Sequence, residues 1–256
     1  MNSKFLIKAL PRLLSLVACG ALLASGASGG PLDEHDPLER TNREVGRANE
    51  ALDHAALRPL AKAYQRTVPR LVRTGVSNFL ANLHDPWSAA NSLAQLKPED
   101  AAHDAMRFTV NTVFGLLGVL DIASDAGIDR HKQDFGTTLA VWGVPAGPYV
   151  VLPLLGPSTL RDTLALPVDW IGDPLAYTTA VVGRDALLTA TAVDTRTRML
   201  AVDPMLDGAL DRYTMMRDGY LQHRNALVHG VAESEKLQEG QVEAEEATLA
   251  GPAGGH

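Results

Sequence analysis

The chain contains very little cysteine and no excess of positive charge. Cys19 is its only cysteine, so an internal disulfide is excluded. The net charge is −7 and the isoelectric point is about 5.6, which argues against a nucleic-acid binder because no basic stripe is available to neutralise phosphates. Beyond the amino-terminal segment, no run approaches the roughly 20 apolar residues of a membrane span. We therefore predict no transmembrane helix in the mature chain.

Motifs of catalysis and cofactor binding are also missing. The eight histidines form no H-E-x-x-H and no other ligand spacing, and neither a P-loop nor G-x-G-x-x-G occurs. The stretch Gly26–Gly30 formally fits G-x-S-x-G, but it lies in the amino-terminal leader and not between a strand and a helix. The sequence therefore predicts no catalytic residue, no metal site and no cofactor.

The amino terminus has the pattern of an export signal. Lys4, Lys8 and Arg12 precede a charge-free run of residues 13–32 that is rich in small side chains. Within it, Leu16–Gly20 matches the bacterial lipobox, which predicts a signal peptide over 1–18, a lipidated Cys19 and a linker over 19–35. Ordinary cleavage after Gly26 or Ala27, which would discard Cys19, is the alternative.

Residues 36–230 are predicted to form a body of successive helices, followed by a disordered acidic tail over 231–256. Asp-Pro pairs are typical helix starts, because Asp caps the first turn and Pro has no N–H to lose there. Asp36-Pro37 also begins a capping box with Glu39. The predicted starts are Asp36-Pro37, Asp85-Pro86, Asp173-Pro174 and Asp203-Pro204.

Two segments are unusually apolar. Phe108–Leu120 is apolar nearly all round, which for a helix indicates full burial or contact with lipid. Residues 135–160 contain no charged side chain and no histidine, yet four prolines forbid a continuous helix. Irregular backbone is tolerated at membrane depth only where it is packed in protein or lines a polar cavity. Both readings stay open, with a short buried strand or hairpin at Tyr149–Leu152 as the simpler one.

Arg161, Asp162 and Asp169 are the charged side chains that follow this segment. They could form an acid/base couple, but a structural ion pair or a helix cap is the favoured interpretation.

The motifs of the charge-free segment give the chain a family resemblance. It resembles the MlaA/VacJ family of outer-membrane lipoproteins over roughly residues 36–230, and most strongly at D-F-G-T-T-L (134–139), W-G-V (142–144), G-P-Y (147–149), L-P (152–153), G-P-S (156–158) and R-D (161–162). The resemblance implies an all-α fold, a ring-like bundle of amphipathic helices seated in one leaflet of the outer membrane, with the irregular Pro/Gly-rich segment near a central channel.

The same resemblance implies the function. Members of this family look like conduits that remove mislocalised phospholipids from the outer leaflet and pass them to a periplasmic lipid-carrier protein, in association with trimeric porins. Neither catalysis nor a cofactor is implied. A structural lipoprotein that scaffolds porins without moving lipid is one alternative, and a soluble periplasmic carrier that has lost Cys19 is another.

Residues of the lipid path cannot be read from spacing alone. The segment from Trp142 to Pro153 is expected to contribute to the wall or mouth of the channel, and two asparagines are expected to lie near its lumen. The alternative for both asparagines is a buried side chain that caps neighbouring backbone. The candidates are Trp142, Gly143, Pro145, Gly147, Pro148, Tyr149, Leu152, Pro153, Asn78 and Asn111.

Overall fold

The computed structural model describes residues 36–174 and 181–229. The predicted signal peptide, Cys19, the linker and the acidic tail lie outside these residues. The described part is predominantly helical with one small two-stranded sheet, which confirms the predicted all-α class and adds a hairpin to it. The helices are α1 (Glu39–Leu52), α2 (Arg58–Thr67), α3 (Arg70–Ala94), α4 (Pro98–Val113), α5 (Ile122–Asp125), α6 (Phe135–Val141), α7 (Leu160–Gly172), α8 (Val181–Met199), α9 (Asp203–Asp207) and α10 (Arg212–His229), and the strands are β1 (Tyr149–Leu152) and β2 (Gly156–Thr159).

Helices α1 and α2 form one rod that is interrupted by a π-helical segment, Asp53–Leu57. Pro59 lies two residues after this segment and has no N–H to continue the α-helical ladder. Wider hydrogen-bonded turns are a common adjustment beside such a defect. The rod ends at Val68, which is extended because the next residue is Pro69.

The predicted helix start at Asp85-Pro86 is wrong. Both residues lie inside the 25-residue helix α3. The Asp85 carboxylate is buried, accepts from Arg130 Nη2 at 3.2 Å and lies 3.0 Å from Arg130 Nε, so it does not cap a helix. An interior proline costs a helix about 3 kcal/mol, and the packing of α3 against α4 compensates for this loss.

The other Asp-Pro pairs give mixed results. The capping box at Asp36 is wrong: α1 begins at Glu39, and the buried Asp36 carboxylate instead accepts from the Tyr213 hydroxyl at 2.5 Å. Helix α9 does begin at Asp203, with Val202 as its N-cap. Asp173-Pro174 follows the end of α7, and residues 175–180 lie outside the described part.

The apolar stretch Phe108–Leu120 is helical only as far as Val113. A turn follows over residues 114–120, closed by backbone hydrogen bonds such as Leu120 N–H to the Gly115 carbonyl at 2.8 Å. Phe114 is 70% exposed. Full burial of this stretch is therefore excluded, and contact with lipid remains the interpretation of its composition.

The simpler reading of Tyr149–Leu152 is confirmed. β1 pairs with β2 in an antiparallel hairpin that matches Tyr149 with Thr159 and Leu152 with Gly156. The Thr159 hydroxyl then caps α7 by accepting from Asp162 N–H at 3.2 Å. The prolines thus mark a loop and a tight hairpin instead of a broken helix.

Contacts between elements close a circuit around the molecule, as a ring of helices requires. The rod of α1 and α2 contacts α8, which contacts α3, which contacts α6 and then α7. The circuit returns through β2 and β1 to α1. No helix in the described ranges combines the length and the apolar character needed to cross a membrane.

Candidate functional site

The burial of polar and apolar side chains is inverted relative to an ordinary soluble domain. Within residues 36–174 and 181–229, buried polar or charged residues outnumber buried apolar ones. Soluble cores are normally built from Ile, Val, Leu and Phe. Here the largest fully buried side chains are all polar or charged: Arg107, Asn42, Asn82, Asn111, Thr137, Thr138, Thr159, Asp36, Asp104 and Ser92.

Four leucines combine exposure with a left-handed backbone. Leu96, Leu116, Leu117 and Leu154 have φ between 54° and 67° and are 65–89% exposed. They are the only non-glycine residues with positive φ in the described part of the chain. Left-handed backbone costs an L-residue about 1–2 kcal/mol and is normally occupied by Gly or Asn. An exposed leucine gains nothing in water that would offset this strain.

Trp142 lies at the carboxyl end of α6 and is 57% exposed. Its indole Nε1 donates to the carbonyl of Ala94 at 3.1 Å, and its ring meets Phe135 edge-to-face at 6.1 Å between centroids. Gly143 follows with φ +88° and open space around it. Helix α6 is therefore followed by a tryptophan whose indole N–H is hydrogen-bonded and whose side chain is largely exposed.

The loop from Pro145 to Pro148 runs along the first turn of α7. The carbonyls of Ala146 and Pro148 accept from Arg161 N–H and Leu160 N–H, each at 3.0 Å. Gly147 has φ +68°, and a Cβ there would lie 3.1 Å from the Leu160 Cβ. Backbone hydrogen bonds, and not side-chain burial, hold this apolar loop in place.

Tyr149 and Leu152 are buried, whereas Pro153 is exposed. The Tyr149 ring packs against Tyr213 and Tyr220, and burial raises the pKa of its phenol to about 12. The predicted path residues in this segment therefore divide into an exposed set around Trp142, Gly147 and Pro153 and a buried set that anchors the hairpin.

Two asparagines of α1 hold the free edge of β1. The Asn42 amide donates to the Tyr149 carbonyl at 2.9 Å and accepts from Val151 N–H at 2.8 Å. Asn49, two turns further on, donates to the Leu152 carbonyl at 2.9 Å and accepts from Leu154 N–H at 2.8 Å. They take the place of a neighbouring strand and satisfy an edge that would otherwise be open.

Asn111 is fully buried and both ends of its amide are occupied. Its Nδ2 donates to Asp121 Oδ1 at 2.9 Å, and its Oδ1 accepts from Ala123 N–H at 2.9 Å. These contacts are those of the capping alternative. A role for Asn111 in a lipid path stays a prediction.

Asn78 belongs to a different part of α3 from the Trp142 contact. Its Nδ2 donates to the Val119 carbonyl at 3.2 Å, in the apolar turn after α4. Sixteen residues of helix separate Asn78 from Ala94, the partner of Trp142, which corresponds to about 24 Å along the axis. The structure therefore does not bring Asn78 together with the Trp142–Pro153 segment.

Asn78 instead lines a cleft between α3 and α8 that the sequence did not reveal. This arginine cleft has a volume of about 290 Å³, and its walls include Arg70, Arg73, Ser77, Asn78, Asp194 and Arg198. The spacing of the four α3 residues is helical and puts them on one face. Asp194 and Arg198 belong to a helix more than one hundred residues later, so the sequence alone does not show that they share a cleft with the α3 residues.

The motif residues of α6 and α7 form a buried ionic network. Arg224 donates to Asp134 Oδ1 at 3.0 Å and to Asp162 Oδ1 at 2.9 Å, while Arg161 Nε lies 3.1 Å from Asp162. Burial alone would raise the pKa of Asp162, but the charges and hydrogen bonds of Arg224, with Arg161 and Tyr220, outweigh it and the pKa is lowered. The predicted structural ion pair is confirmed.

Asp169 links α7 to α3 and to the start of α6 by hydrogen bonds. Its Oδ1 accepts from Phe135 N–H at 2.8 Å and from Trp87 Nε1 at 2.9 Å. Burial raises the pKa of this carboxyl although both hydrogen bonds oppose the rise. Asp169 thus satisfies the first N–H of α6, whose N-cap is Asp134, and this contact is structural. Within the described ranges no cluster of three or more His, Cys, Asp or Glu side chains could hold a metal ion.

Comparison with known proteins places this arrangement in a family. The family model described as MlaA lipoprotein matches residues 34–227. The intermembrane phospholipid transport system lipoprotein MlaA of Escherichia coli strain K12 is 34% identical over 226 residues, which is 85% of this chain and 89% of that protein. An uncharacterised protein of Rickettsia typhi is 36% identical over 199 residues, 77% of each chain.

The fold has a solved counterpart as well. A chain from structural work on the basis for maintenance of bacterial outer membrane lipid asymmetry superposes with a TM-score of 0.68 at 34% sequence identity. The match covers 75% of this chain and 98% of the solved one. Because the family model spans most of the chain and the relatives exceed 30% identity over more than two thirds of it, the chain belongs to the MlaA lipoprotein family.

Proposed function

We propose that this protein is the outer-membrane conduit of an intermembrane phospholipid transport system, which removes mislocalised phospholipids from the outer leaflet and passes them to a periplasmic lipid-carrier protein. The observation that carries the proposal is the group of four exposed, left-handed leucines. Backbone strain that persists at a turn indicates a functional constraint. Contact with acyl chains explains why leucine stands where Gly or Asn would fit without strain.

Inverted burial supplies the other half of a conduit. Moving a phospholipid across hydrocarbon requires the polar headgroup to lose its water, which costs several kcal/mol without compensating hydrogen bonds. A ring with a polar interior and an apolar outer surface offers the headgroup polar partners while the acyl chains stay against apolar walls. The protein then lowers a barrier without bond-making chemistry, and the direction of flow comes from its partners.

Seating in one leaflet is the arrangement that this distribution favours. The exposed apolar turns after α3 and α4 and at the hairpin tip give shallow contact with lipid, and a lipid anchor on Cys19 would hold the protein at the periplasmic side of the membrane. Mass spectrometry of the mature amino terminus tests the anchor. A diacylated or triacylated Cys19 is expected, whereas an unmodified terminus at Ala27 or Ser28 would favour the soluble carrier.

Deletion and complementation in the native host test transport itself. A deletion strain should accumulate phospholipid in the outer leaflet and become sensitive to detergent, and the wild-type gene should restore both. Outer-leaflet phospholipid is measured with an enzyme or dye that cannot enter the cell. Unchanged lipid asymmetry in the deletion strain would contradict the proposal.

Gly147 separates a conduit from a porin scaffold. Gly147→Trp places a bulky side chain on the loop that follows Trp142, next to Leu160. Gly127→Trp is the control because Gly127 also has positive φ but lies at a turn outside the predicted path, where a Cβ meets nothing within 4 Å. A conduit loses lipid transport on Gly147→Trp while crosslinking to a trimeric porin survives. Loss of both, or of neither, favours a scaffold, provided that circular dichroism shows both variants to be folded.

A further inference from the structure

The arginine cleft carries positive charge that the protein does not neutralise. In the described part of the chain, Arg70 has no hydrogen-bond or ion-pair partner, and Arg73 donates only to the carbonyl of Val68, at 3.2 Å. By contrast, Arg224 and Arg196 each face two carboxylates. Unpaired guanidinium groups side by side repel one another, so this arrangement favours an anionic ligand.

One carboxylate shapes the cleft without balancing its charge. Asp194 is buried, accepts from the Ser77 hydroxyl at 3.0 Å and lies 3.2 Å from Arg198 Nη2. The Ser77 bond joins α3 to α8 at the floor, and the pairing with Asp194 leaves the Arg198 side chain 56% exposed at the rim. The cleft therefore contains three arginines and one carboxylate, that of Asp194.

The chemistry of the walls selects a phosphate group. Guanidinium forks match phosphate oxygens geometrically, and such charge-assisted hydrogen bonds are about twice as strong as neutral ones. The Ser77 hydroxyl and the Asn78 amide add polar groups beside them. At about 290 Å³ the cleft has room for a phosphate with its glycerol, but not for two acyl chains.

Apolar surface lies directly beside the cleft. Leu71 and Val72 project from the same turn of α3 as Arg70 and are 86% and 53% exposed. Asn78, on the cleft wall, donates to the carbonyl of Val119 in the apolar turn after α4. A free phosphate has no apolar part to place on this surface, whereas a phospholipid carries acyl chains next to its phosphate.

We propose that the arginine cleft binds the phosphodiester of a phospholipid headgroup whose acyl chains lie on the apolar residues of α3 and the turn after α4. This inference rests on the proposed transport of phospholipid and adds a binding step to it. Arg70, Arg73 and Arg198 hold the phosphate, and Asp194 positions Arg198.

Binding of a soluble short-chain lipid tests the proposal on the full-length protein in uncharged detergent. Isothermal titration calorimetry with dihexanoyl phosphatidylglycerol, below its critical micelle concentration, should give saturable binding that weakens with salt. Arg70→Gln with Arg73→Gln should weaken it about 10- to 100-fold, the loss expected for two partly exposed charge-assisted contacts. Arg47→Gln with Lys132→Gln is the control. These two substitutions remove the same charge, and both residues are exposed and lie outside the cleft.

Each outcome decides a part of the proposal. Equal binding by wild type and the Arg70/Arg73 variant, or an equal loss in the control, overturns the cleft as a site. If inorganic phosphate competes with the lipid at an equal concentration, the proposal of a lipid headgroup is overturned and the cleft is a site for free phosphate. Unchanged thermal unfolding of both double variants shows that any lost binding reflects the site and not the fold.

Transport in cells distinguishes this inference from the proposed function. If the wild-type gene restores outer-leaflet asymmetry in a deletion strain and the Arg70/Arg73 variant restores it equally well, the cleft proposal fails and the conduit stands. If the wild-type gene does not act on asymmetry while purified protein still binds lipid through the arginines, the conduit fails and the binding site stands.

Discussion

At the scale of single residues, one crowded ion network explains the glycine in the D-F-G-T-T-L motif at the start of α6. Gly136 packs where Asp134, Asp162 and Arg224 converge. A Cβ at this position would lie 2.5 Å from Asp162 Oδ1 and 2.8 Å from Arg224 Nη2. Neither side chain can give way easily, because both are buried and each is bonded to other members of the network.

Gly136→Ala should therefore destabilise the protein although alanine favours helices. We expect a loss of about 1–3 kcal/mol in the free energy of unfolding, the usual cost of overpacking a filled site. Gly46→Ala is the control, since a Cβ there meets nothing within 4 Å and should stabilise α1 by about 0.5–1 kcal/mol. Denaturant unfolding followed by circular dichroism measures both, and equal effects of the two changes would contradict the crowding.

The lowered pKa of Asp162 predicts how stability depends on pH. Its ionised form contributes stability in full above the unfolded-state pKa of about 3.9, and this contribution is lost as the pH falls through the lower folded pKa. Arg224→Met leaves a buried carboxylate without its main partner, which costs about 3–5 kcal/mol at pH 7. The gap between wild type and variant should shrink below pH 4 in thermal melts, and a gap independent of pH would exclude this origin.

At the scale of elements, the hairpin is held from outside by α1. Asn42 and Asn49 are seven residues apart, so they lie on one helix face and reach successive peptide groups along β1 and into the hairpin loop. Two-stranded hairpins are marginal on their own in water. The asparagines give β1 a partner on its second edge without a third strand.

Asn49→Ala should loosen the tip of the hairpin and leave its base intact. The change removes the Asn49 hydrogen bonds of the Leu152 carbonyl and the Leu154 N–H, which costs less than the about 1–3 kcal/mol of a buried unsatisfied group because this edge is partly exposed. Hydrogen exchange should accelerate at Leu154 while Val151, held by Asn42, stays protected. Equal acceleration at Val151 would mean that the two asparagines do not act independently.

The sequence predicted elements where the signal is local and missed what depends on distant partners. Four prolines were enough to exclude a continuous helix over residues 135–160, and the helix there ends at Val141 while Tyr149–Leu152 forms a strand. The Asp85-Pro86 start was wrong because the partner of Asp85, Arg130, lies 45 residues away, and tertiary packing can carry a helix through a proline. The arginine cleft was missed for the same reason, since α8 completes it.

At the scale of the whole molecule, polar side chains are buried and apolar side chains are exposed, so each kind needs its own stabilising environment. Polar groups such as Arg107 and Asn111 satisfy one another inside, through Asp121. Apolar residues such as Phe114 and Leu117 face outward on turns. Composition reported only an average hydropathy near zero, in which the two surfaces cancel. The inverted burial of polar and apolar residues follows from the fold, which determines the residues that are buried and those that are exposed.

This inversion predicts that stability and membrane seating respond in opposite directions to one change. Leu116→Asn with Leu117→Asn keeps the left-handed backbone, which Asn tolerates better than Leu, and should stabilise the folded protein in water by up to about 1 kcal/mol per site. The same change removes two leucines from lipid contact, where each contributes about 1.5–3 kcal/mol. In a Cys19→Ser background, flotation with phospholipid vesicles should therefore fall at least tenfold while the melting temperature rises. Val72→Asn is the control, because it removes an exposed apolar side chain from regular helix and should not raise the melting temperature. A Leu116/Leu117 variant that melts higher and floats as well as its parent would separate the strained leucines from membrane contact and remove the observation on which the proposed function rests.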